Sequence, residues 1–315
     1  MAALPVIEFG PFLSPSSTAE QRRGVALELD QACRNTGFFY LKGHGVPQEL
    51  LDGVRKNAID FFRTASEDEK QRLALKPGDQ ARGYSKHVDP EKGSHEALDF
   101  YRPVAESSAP CTIGQGANQW PTKPEDFRPI AEAYVDRMEG LGKAVIEALA
   151  LALGVDTSLL VSRIDKAFWQ LRMICYGGQK SQVPAKAGIG EHTDFGILTF
   201  LLTDATKQSL QVRSKTGEWI YTDPMEGCFL CNLGDMLAEW TRGAYKSTAH
   251  RVIHTSSSPR VSIPFFFDPN WDAYIEPVLP SAEGETESQY VGVRYRDRYI
   301  GAIEQPLGEV AALPA

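Results

Sequence analysis

The segment GEHTDFGILTFLL, residues 190–202, places His192 and Asp194 two positions apart at the entrance to an apolar run. In an extended strand, residues i and i+2 project from one face. An imidazole and a carboxylate at this spacing can therefore reach one ion together while Thr193 points away. They fill two coordination positions, and a third protein ligand must come from elsewhere. Two histidines and one carboxylate on one face of an octahedron leave three positions open, an arrangement suited to a ferrous ion that must also admit oxygen and a second ligand.

Five other histidines are available. His44 sits in a glycine-bounded turn, and His87 and His95 fall in a Pro/Gly/Ser-rich stretch. His250 and His254 share the segment STAHRVIHTSSS, and on a strand both could face the same way. His250 lies within the apolar-flanked part and is favoured as the third ligand, whereas His254 opens a Ser/Pro-rich turn. For His44, His87, His95 and His254 the simpler role is that of a hydrogen-bonded core or surface histidine. Ten residues past His250, RVSIPFFF sets Arg260 and Ser262 on one strand face. A guanidinium forks onto a carboxylate through two parallel N–H bonds, and a nearby hydroxyl adds another, which suits the far carboxylate of a small dicarboxylic acid. The C-x-x-C at Cys228 and Cys231 reads differently: in a strand, residues three apart point to opposite faces, so the pair is structural.

These side chains need elements to position them. Up to about residue 165 the pattern is mainly helical. Thr18 and Gln21 have capping-box spacing ahead of Val25, Leu29 and Ala32. FFYLKGHG (38–45) is a short strand ending in a glycine turn, and Pro47 opens a helix carrying Leu50, Leu51, Val54, Ala58, Phe61 and Phe62. A long helix starts near Pro124 and stops near Gly154. From Phe168 the period shortens: WQLRMICY, HTDFGILTFLL, SLQVRS, EWIYT, GCFLCNL, STAHRVI and RVSIPFFF read as strands separated by turn signals such as GGQKSQ and SKTGE, as in a sandwich or barrel. Residues 76–120 read as a long loop or lid, and Ser288 to about Ile300 as a helix. The expected division is a helical, mixed region with the lid over 1–120, packed as one unit with a core over 121–315.

Composition narrows the partners. Of 315 residues, 42% are hydrophobic and 23% charged, and the 41 acidic against 33 basic side chains give a net charge of −8. That balance argues against nucleic acid and against an anionic membrane surface. No apolar run approaches the ~20 residues of a bilayer span, and the N-terminal residues lack a secretory pattern. Five cysteines do not form a disulfide framework, so a cytoplasmic setting is expected.

HTD at 192–194, the histidine of AHRV at 250 and RVS at 260–262 together resemble the Fe(II)/2-oxoglutarate-dependent dioxygenases, in the branch that includes isopenicillin N synthase and the plant oxidases. TGFFYLKGHGVP resembles that branch's N-terminal domain, RGYS at 82–85 its substrate-side loop, and NLGDML at 232–237 is also typical of it. The resemblance implies a mainly β fold with α: a double-stranded β-helix, or jelly-roll, core flanked by helices. It implies that His192, Asp194 and His250 hold Fe(II), and that Arg260, Ser262 and Tyr176 bind the C5 carboxylate of the cosubstrate 2-oxoglutarate. Ile174 departs from it, since many relatives carry asparagine there. Asn232 is placed beside the cosubstrate, and Tyr84, Arg82, Tyr101, Phe195, Leu210 and Phe267 are assigned to the substrate by position. The implied activity couples decarboxylation of 2-oxoglutarate, to succinate and CO2, with O2-dependent C–H oxidation of a small-molecule metabolite: hydroxylation, desaturation or ring closure. A monomer of secondary metabolism is expected. Two other readings stay open, an isopenicillin N synthase-like oxidase that needs no 2-oxoglutarate and a binding jelly roll without metal.

Overall fold

The computed structural model describes residues 4–75, 81–88, 94–103, 116–177, 187–280 and 292–304. The first part of the chain forms β1 (Val6–Glu8), α1 (Gly10–Leu13), α2 (Ala19–Asn35), β2 (Phe38–Lys42), α3 (Gln48–Thr64) and α4 (Glu67–Arg72). There follow β3 (Gly83–His87), β4 (His95–Tyr101), α5 (Phe127–Leu153), α6 (Thr157–Val161) and β5 (Ala167–Tyr176). Next come β6 (Ala187–His192), β7 (Leu198–Thr203), β8 (Leu210–Arg213), β9 (Trp219–Tyr221) and β10 (Cys228–Leu233). The remainder is α7 (Asp235–Trp240), β11 (His250–His254), β12 (Arg260–Asn270), β13 (Tyr274–Ile275), β14 (Val293–Arg294) and α8 (Tyr295–Glu304).

Local signals explain the helices. The Thr18 hydroxyl accepts from Gln21 N while the Gln21 side chain accepts from Thr18 N, closing a capping box on α2. Gly154 ends α5 in the left-handed conformation at φ 68°, which a residue without Cβ adopts at little cost.

The strands make an eight-stranded sheet, β1-β2-β10-β7-β12-β5-β4-β3, and a four-stranded sheet, β6-β11-β8-β9. From β5 to β12 the chain passes back and forth between the two, and every pairing except β1 with β2 is antiparallel. This is the double-stranded β-helix. Alternation along each strand of the large sheet separates two apolar layers. Val261, Ile263, Phe265 and Phe267 of β12 face the layer shared with α2, α3 and α5. Phe38, Tyr40, Ile174, Tyr176 and Leu230 face inward, toward Leu210, Val212 and Val252 of the small sheet. Cys231 lies in the outer layer and Cys228 against the inner one, so C-x-x-C is split across the sheet.

Three expectations need correction. Residues 76–120 are not simply a loop: β3 and β4 pair with one another, and β4 adds to β5 at the edge of the large sheet. Polar side chains on Ser85, Lys86, His87, His95 and Glu96 mask the strand period there. Parts of that stretch lie outside the described residues, as do most of GGQKSQ and residues 288–291. The C-terminal helix starts at Tyr295, because Val293 and Arg294 pair with β13 instead. β6, AGIGEH, carries no strand signal in the sequence because two glycines leave it no apolar run. Among the described residues no helix is long and apolar enough to cross a membrane.

Candidate active site

His192 is the last residue of β6, and His250, the first of β11, sits directly opposite it in the small sheet. Asp194 is not on the same strand: β6 ends at His192, and Asp194 lies in the turn before β7. The turn is clamped onto the start of α7. Asp235 N donates to Asp194 O at 2.8 Å, Met236 N to Gly196 O at 3.1 Å, and Thr193 Oγ1 to Asp235 Oδ2 at 3.0 Å. Backbone bonding therefore aims the carboxylate, in place of the strand pleat. One donor atom from each of His192, Asp194 and His250 lies within 4.8 Å of the others.

The unused lone pairs of these side chains converge. His192 Nδ1 lies 2.8 Å from Gly190 O and His250 Nδ1 3.1 Å from Thr248 O. A carbonyl accepts only from N–H, so each ring is protonated at Nδ1 and presents a bare Nε2. Those Nε2 atoms lie 3.9 and 3.6 Å from Asp194 Oδ1. The other carboxylate oxygen is taken, accepting from Thr199 Oγ1 at 2.5 Å and Asn232 Nδ2 at 2.6 Å. Burial lowers the His192 pKa, as does neighbouring His250, which keeps the ring neutral as a ligand must be. Asp194 is pushed up by burial but held below its ordinary value by the two imidazoles and its two hydrogen bonds. Two neutral imidazoles and one carboxylate oxygen fit a ferrous ion.

A second feature lies deeper. Arg260 and Ser262 share the inward face of β12, and Arg260 pairs with Tyr176 across β5. The Tyr176 hydroxyl lies 3.5 Å from Ser262 Oγ, and the guanidinium stands 5.1 Å from the Tyr176 ring centre. Arg260 is 2% exposed, and among the described residues its Nε and Nη1 have no hydrogen-bond partner. Buried guanidinium donors without acceptors are costly, and a bidentate carboxylate between Arg260, Ser262 and Tyr176 would satisfy them. The far carboxylate of 2-oxoglutarate fits this cradle.

The family described as 2OG-Fe(II) oxygenase superfamily matches residues 168–269, and the one described as non-haem dioxygenase in morphine synthesis N-terminal matches residues 4–123. A soybean homoarginine-6-hydroxylase, 2-ODD-C23, is 37% identical over 294 residues, covering 88% of each chain. The chain belongs to the 2OG-Fe(II) oxygenase superfamily. Its members use Fe(II), 2-oxoglutarate and O2, and the chain is a 2-oxoglutarate-dependent dioxygenase acting on small molecules. The oxygenase is also 34% identical to the Trichoderma harzianum 2-oxoglutarate-dependent dioxygenase thnC over 275 residues, 84% of each chain. A full-length Neurospora crassa protein in complex with alpha-KG and thymine superposes with a TM-score of 0.80 at 26% identity, over 95% of this chain and 97% of that one.

Several residues of the oxygenase stand elsewhere than expected. Asn232 is bonded to Asp194, so it orients a metal-binding carboxylate. Phe267 faces the helical layer, where a Cβ on Gly142 of α5 would meet its ring at 2.6 Å. It is buried in that layer; Phe266, partly exposed and paired with Thr199 and Gln170, has the inward position. Tyr84 pairs with Leu98 on the outward side of the sheet, near Phe61, with its hydroxyl 2.9 Å from Glu96 Oε2. Leu210 faces inward beside Ile174 and Tyr176. Phe195, Tyr101 and Arg82 gather under α8: the Phe195 ring lies 6.2 Å from Tyr295 and from Tyr299, and Arg82 stands 5.3 Å over the Tyr101 ring. Arg82 is fully buried and donates to Arg102 O at 3.0 Å. His254 has both ring nitrogens engaged, 3.1 Å from Ser209 Oγ and 2.7 Å from Ser258 O. Sequence reasoning missed Phe266 and Arg172, although counting by twos from Ser262 and from Tyr176 reaches both.

Two outcomes follow from the turn. A Cβ at Gly196 would lie 1.5 Å from Asp268 Oδ1, so Gly196→Ala must displace either the turn or β12. Metal affinity is expected to fall by about 10–100-fold, the scale of losing a group that orients a ligand, measured by Mn(II) titration. Asp268 itself accepts from Tyr295 Oη at 2.9 Å and from Ile197 N at 3.3 Å. Burial nonetheless pushes its carboxyl up to about 7. A raised carboxyl binds its proton more tightly in the folded chain, so the stability it contributes is full at low pH and declines as pH rises from about 4 to about 7. Asp268→Asn is expected to flatten that part of the Tm-against-pH curve.

Proposed function

We propose that the protein hydroxylates a small polar metabolite, with His192, Asp194 and His250 holding Fe(II) and Arg260, Ser262 and Tyr176 holding the far carboxylate of 2-oxoglutarate. Hydroxylation, among the oxidative outcomes open to this chemistry, is supported by the soybean and Arabidopsis thaliana relatives, named as homoarginine-6-hydroxylases at 37% and 36% identity. We further propose a cytoplasmic monomer that binds neither nucleic acid nor membrane, a reading supported by the net charge of −8.

The observation that carries the reading is the pair of Nδ1–carbonyl contacts, which leave two bare Nε2 atoms beside one free carboxylate oxygen. When bound, iron and 2-oxoglutarate supply O2 activation and the oxidising power for C–H cleavage, with 2-oxoglutarate leaving as succinate and CO2. The chain's own residues fix geometry. Thr199 and Asn232 hold Asp194 so that only Oδ1 is offered. Arg260, Ser262 and Tyr176 would hold the far carboxylate of the cosubstrate at the depth of their cradle. Leu210, Val252 and Ile174 wall that depth with apolar surface and exclude water.

The test is stoichiometry. Succinate and oxidised product should form one to one, with O2 consumed and no product without 2-oxoglutarate. Product formed with no succinate would assign the protein to the oxidases that draw every electron from their substrate, and would overturn the proposal.

A further inference from the structure

Alternate residues of β5 place Gln170, Arg172, Ile174 and Tyr176 on its inward face, and β4 sets Tyr101, Asp99 and Ala97 directly opposite the first three. Arg172 is thus two residues above Ile174, whose partner across β12 is Ser262 of the cosubstrate cradle. Gln170 is partnered by Phe266, and Phe266 by Thr199, the residue bonded to Asp194. Arg172 therefore stands on the inner wall between the level of the cradle and that of the metal cluster.

Its bonding is incomplete. Arg172 Nε lies 3.4 Å from Asp99 Oδ1, and Gln170 Nε2 donates to the same oxygen at 2.8 Å. Among the described residues the guanidinium makes no hydrogen bond, and its Nε is buried without a partner. Asp99 Oδ2 likewise receives none among them. The Asp99 side chain is 7% exposed and that of Arg172 26%, so the pair forms part of the wall with the guanidinium reaching inward. Sealing an ion pair into an apolar interior is costly unless its remaining donors and acceptors are used.

We propose that Arg172 and Asp99 form a clamp for the α-amino carboxylate of an amino-acid substrate, the carboxylate on Arg172 and the ammonium group on Asp99. This rests on the oxygenase reading above and deepens it. Two opposite charges held side by side call for two opposite charges side by side on the ligand, which an α-amino acid carries. A plain carboxylate on Arg172 would be repelled by Asp99, and a plain amine on Asp99 by Arg172. Gln170 fixes the Asp99 carboxylate through Oδ1, leaving Oδ2 for the incoming nitrogen.

The experiment uses the full-length protein loaded anaerobically with Mn(II) and 2-oxoglutarate, with loading itself followed by calorimetry. The probes are L-amino acids including L-homoarginine, the des-amino and decarboxy analogues of the best binder, and thymine as a neutral comparison. The wild type should prefer an amino acid over either analogue by at least about tenfold. Arg172→Leu should weaken that amino acid by about a hundredfold, the loss of a charge-assisted fork, with 2-oxoglutarate affinity unchanged and Arg172→Lys partly restoring binding. Asp99→Asn should weaken the amino acid but leave the des-amino analogue as before. Thymine or a des-amino analogue binding best, an unaffected Arg172→Leu, or a loss of 2-oxoglutarate affinity in its place, would each overturn the clamp. Failure of the wild type to take up Mn(II) and 2-oxoglutarate would overturn the oxygenase reading instead.

Discussion

Arg260→Leu is expected to raise the 2-oxoglutarate concentration needed for half-maximal turnover by about a hundredfold while leaving metal binding intact. The argument is one of unequal solvation. The Arg260 guanidinium is 2% exposed and, among the described residues, keeps Nε and Nη1 without partners, against the ring of Tyr176 and beside Ile174 and Leu210. Two charge-assisted hydrogen bonds to a carboxylate are worth about 3 kcal/mol here, roughly two decades in affinity. Leucine fills similar space and removes an unsatisfied buried charge, so the protein without cosubstrate should melt no lower than the wild type. Its Tm should then fail to rise on adding 2-oxoglutarate, because a ligand stabilises only the state it binds. Melting curves with and without 2-oxoglutarate, beside an Mn(II) titration, check all three effects. Loss of metal binding in this variant would make Arg260 a structural residue and sink the assignment.

Much of this site is legible in the sequence because strand alternation is a strict rule with a short reach. Arg260 with Ser262, and the split of Cys228 from Cys231, follow from counting by twos along one strand. The same rule condemns Phe267, which differs in parity from Ser262, and selects Phe266. Tyr84 fails for a related reason: its polar neighbours hide the strand, so no parity can be applied, and the structure turns it outward. Asp194 is a different case. It meets His192 although no strand joins them, because Gly234 and Asp235 at the start of α7 hold its turn through backbone hydrogen bonds. Turn and helix lie far apart along the chain, and a local pattern carries no trace of that contact. Asn232 shows the limit most clearly. The sequence marks it as polar within an apolar strand, but only register against β7 brings it to Thr199 and thence to Asp194.

The choice between the two histidines of β11 yields the sharpest contrast. His250→Ala is expected to cut Fe(II) or Mn(II) affinity by at least about a hundredfold and to abolish turnover, whereas His254→Ala should keep the metal. Both are buried on one strand four residues apart, at 8% and 3% exposure, so neither burial nor spacing separates them. Ring valence does. His250 spends Nδ1 on Thr248 O and aims Nε2 at Asp194 Oδ1, so one nitrogen remains for a metal. His254 spends both nitrogens, on Ser209 and Ser258, and has none to give. Removing His254 leaves the Ser258 carbonyl and the Ser209 hydroxyl short of a partner and opens a small void, a cost of about 1–3 kcal/mol in stability. Removing His250 takes one of three protein donors from the metal and leaves Asp194 and His192 too few to hold it. Metal titration and thermal melts on the two variants should therefore move in opposite measures: affinity lost with little change in Tm for the first, Tm lowered with affinity kept for the second. Metal retained by His250→Ala and lost by His254→Ala would reverse the assignment.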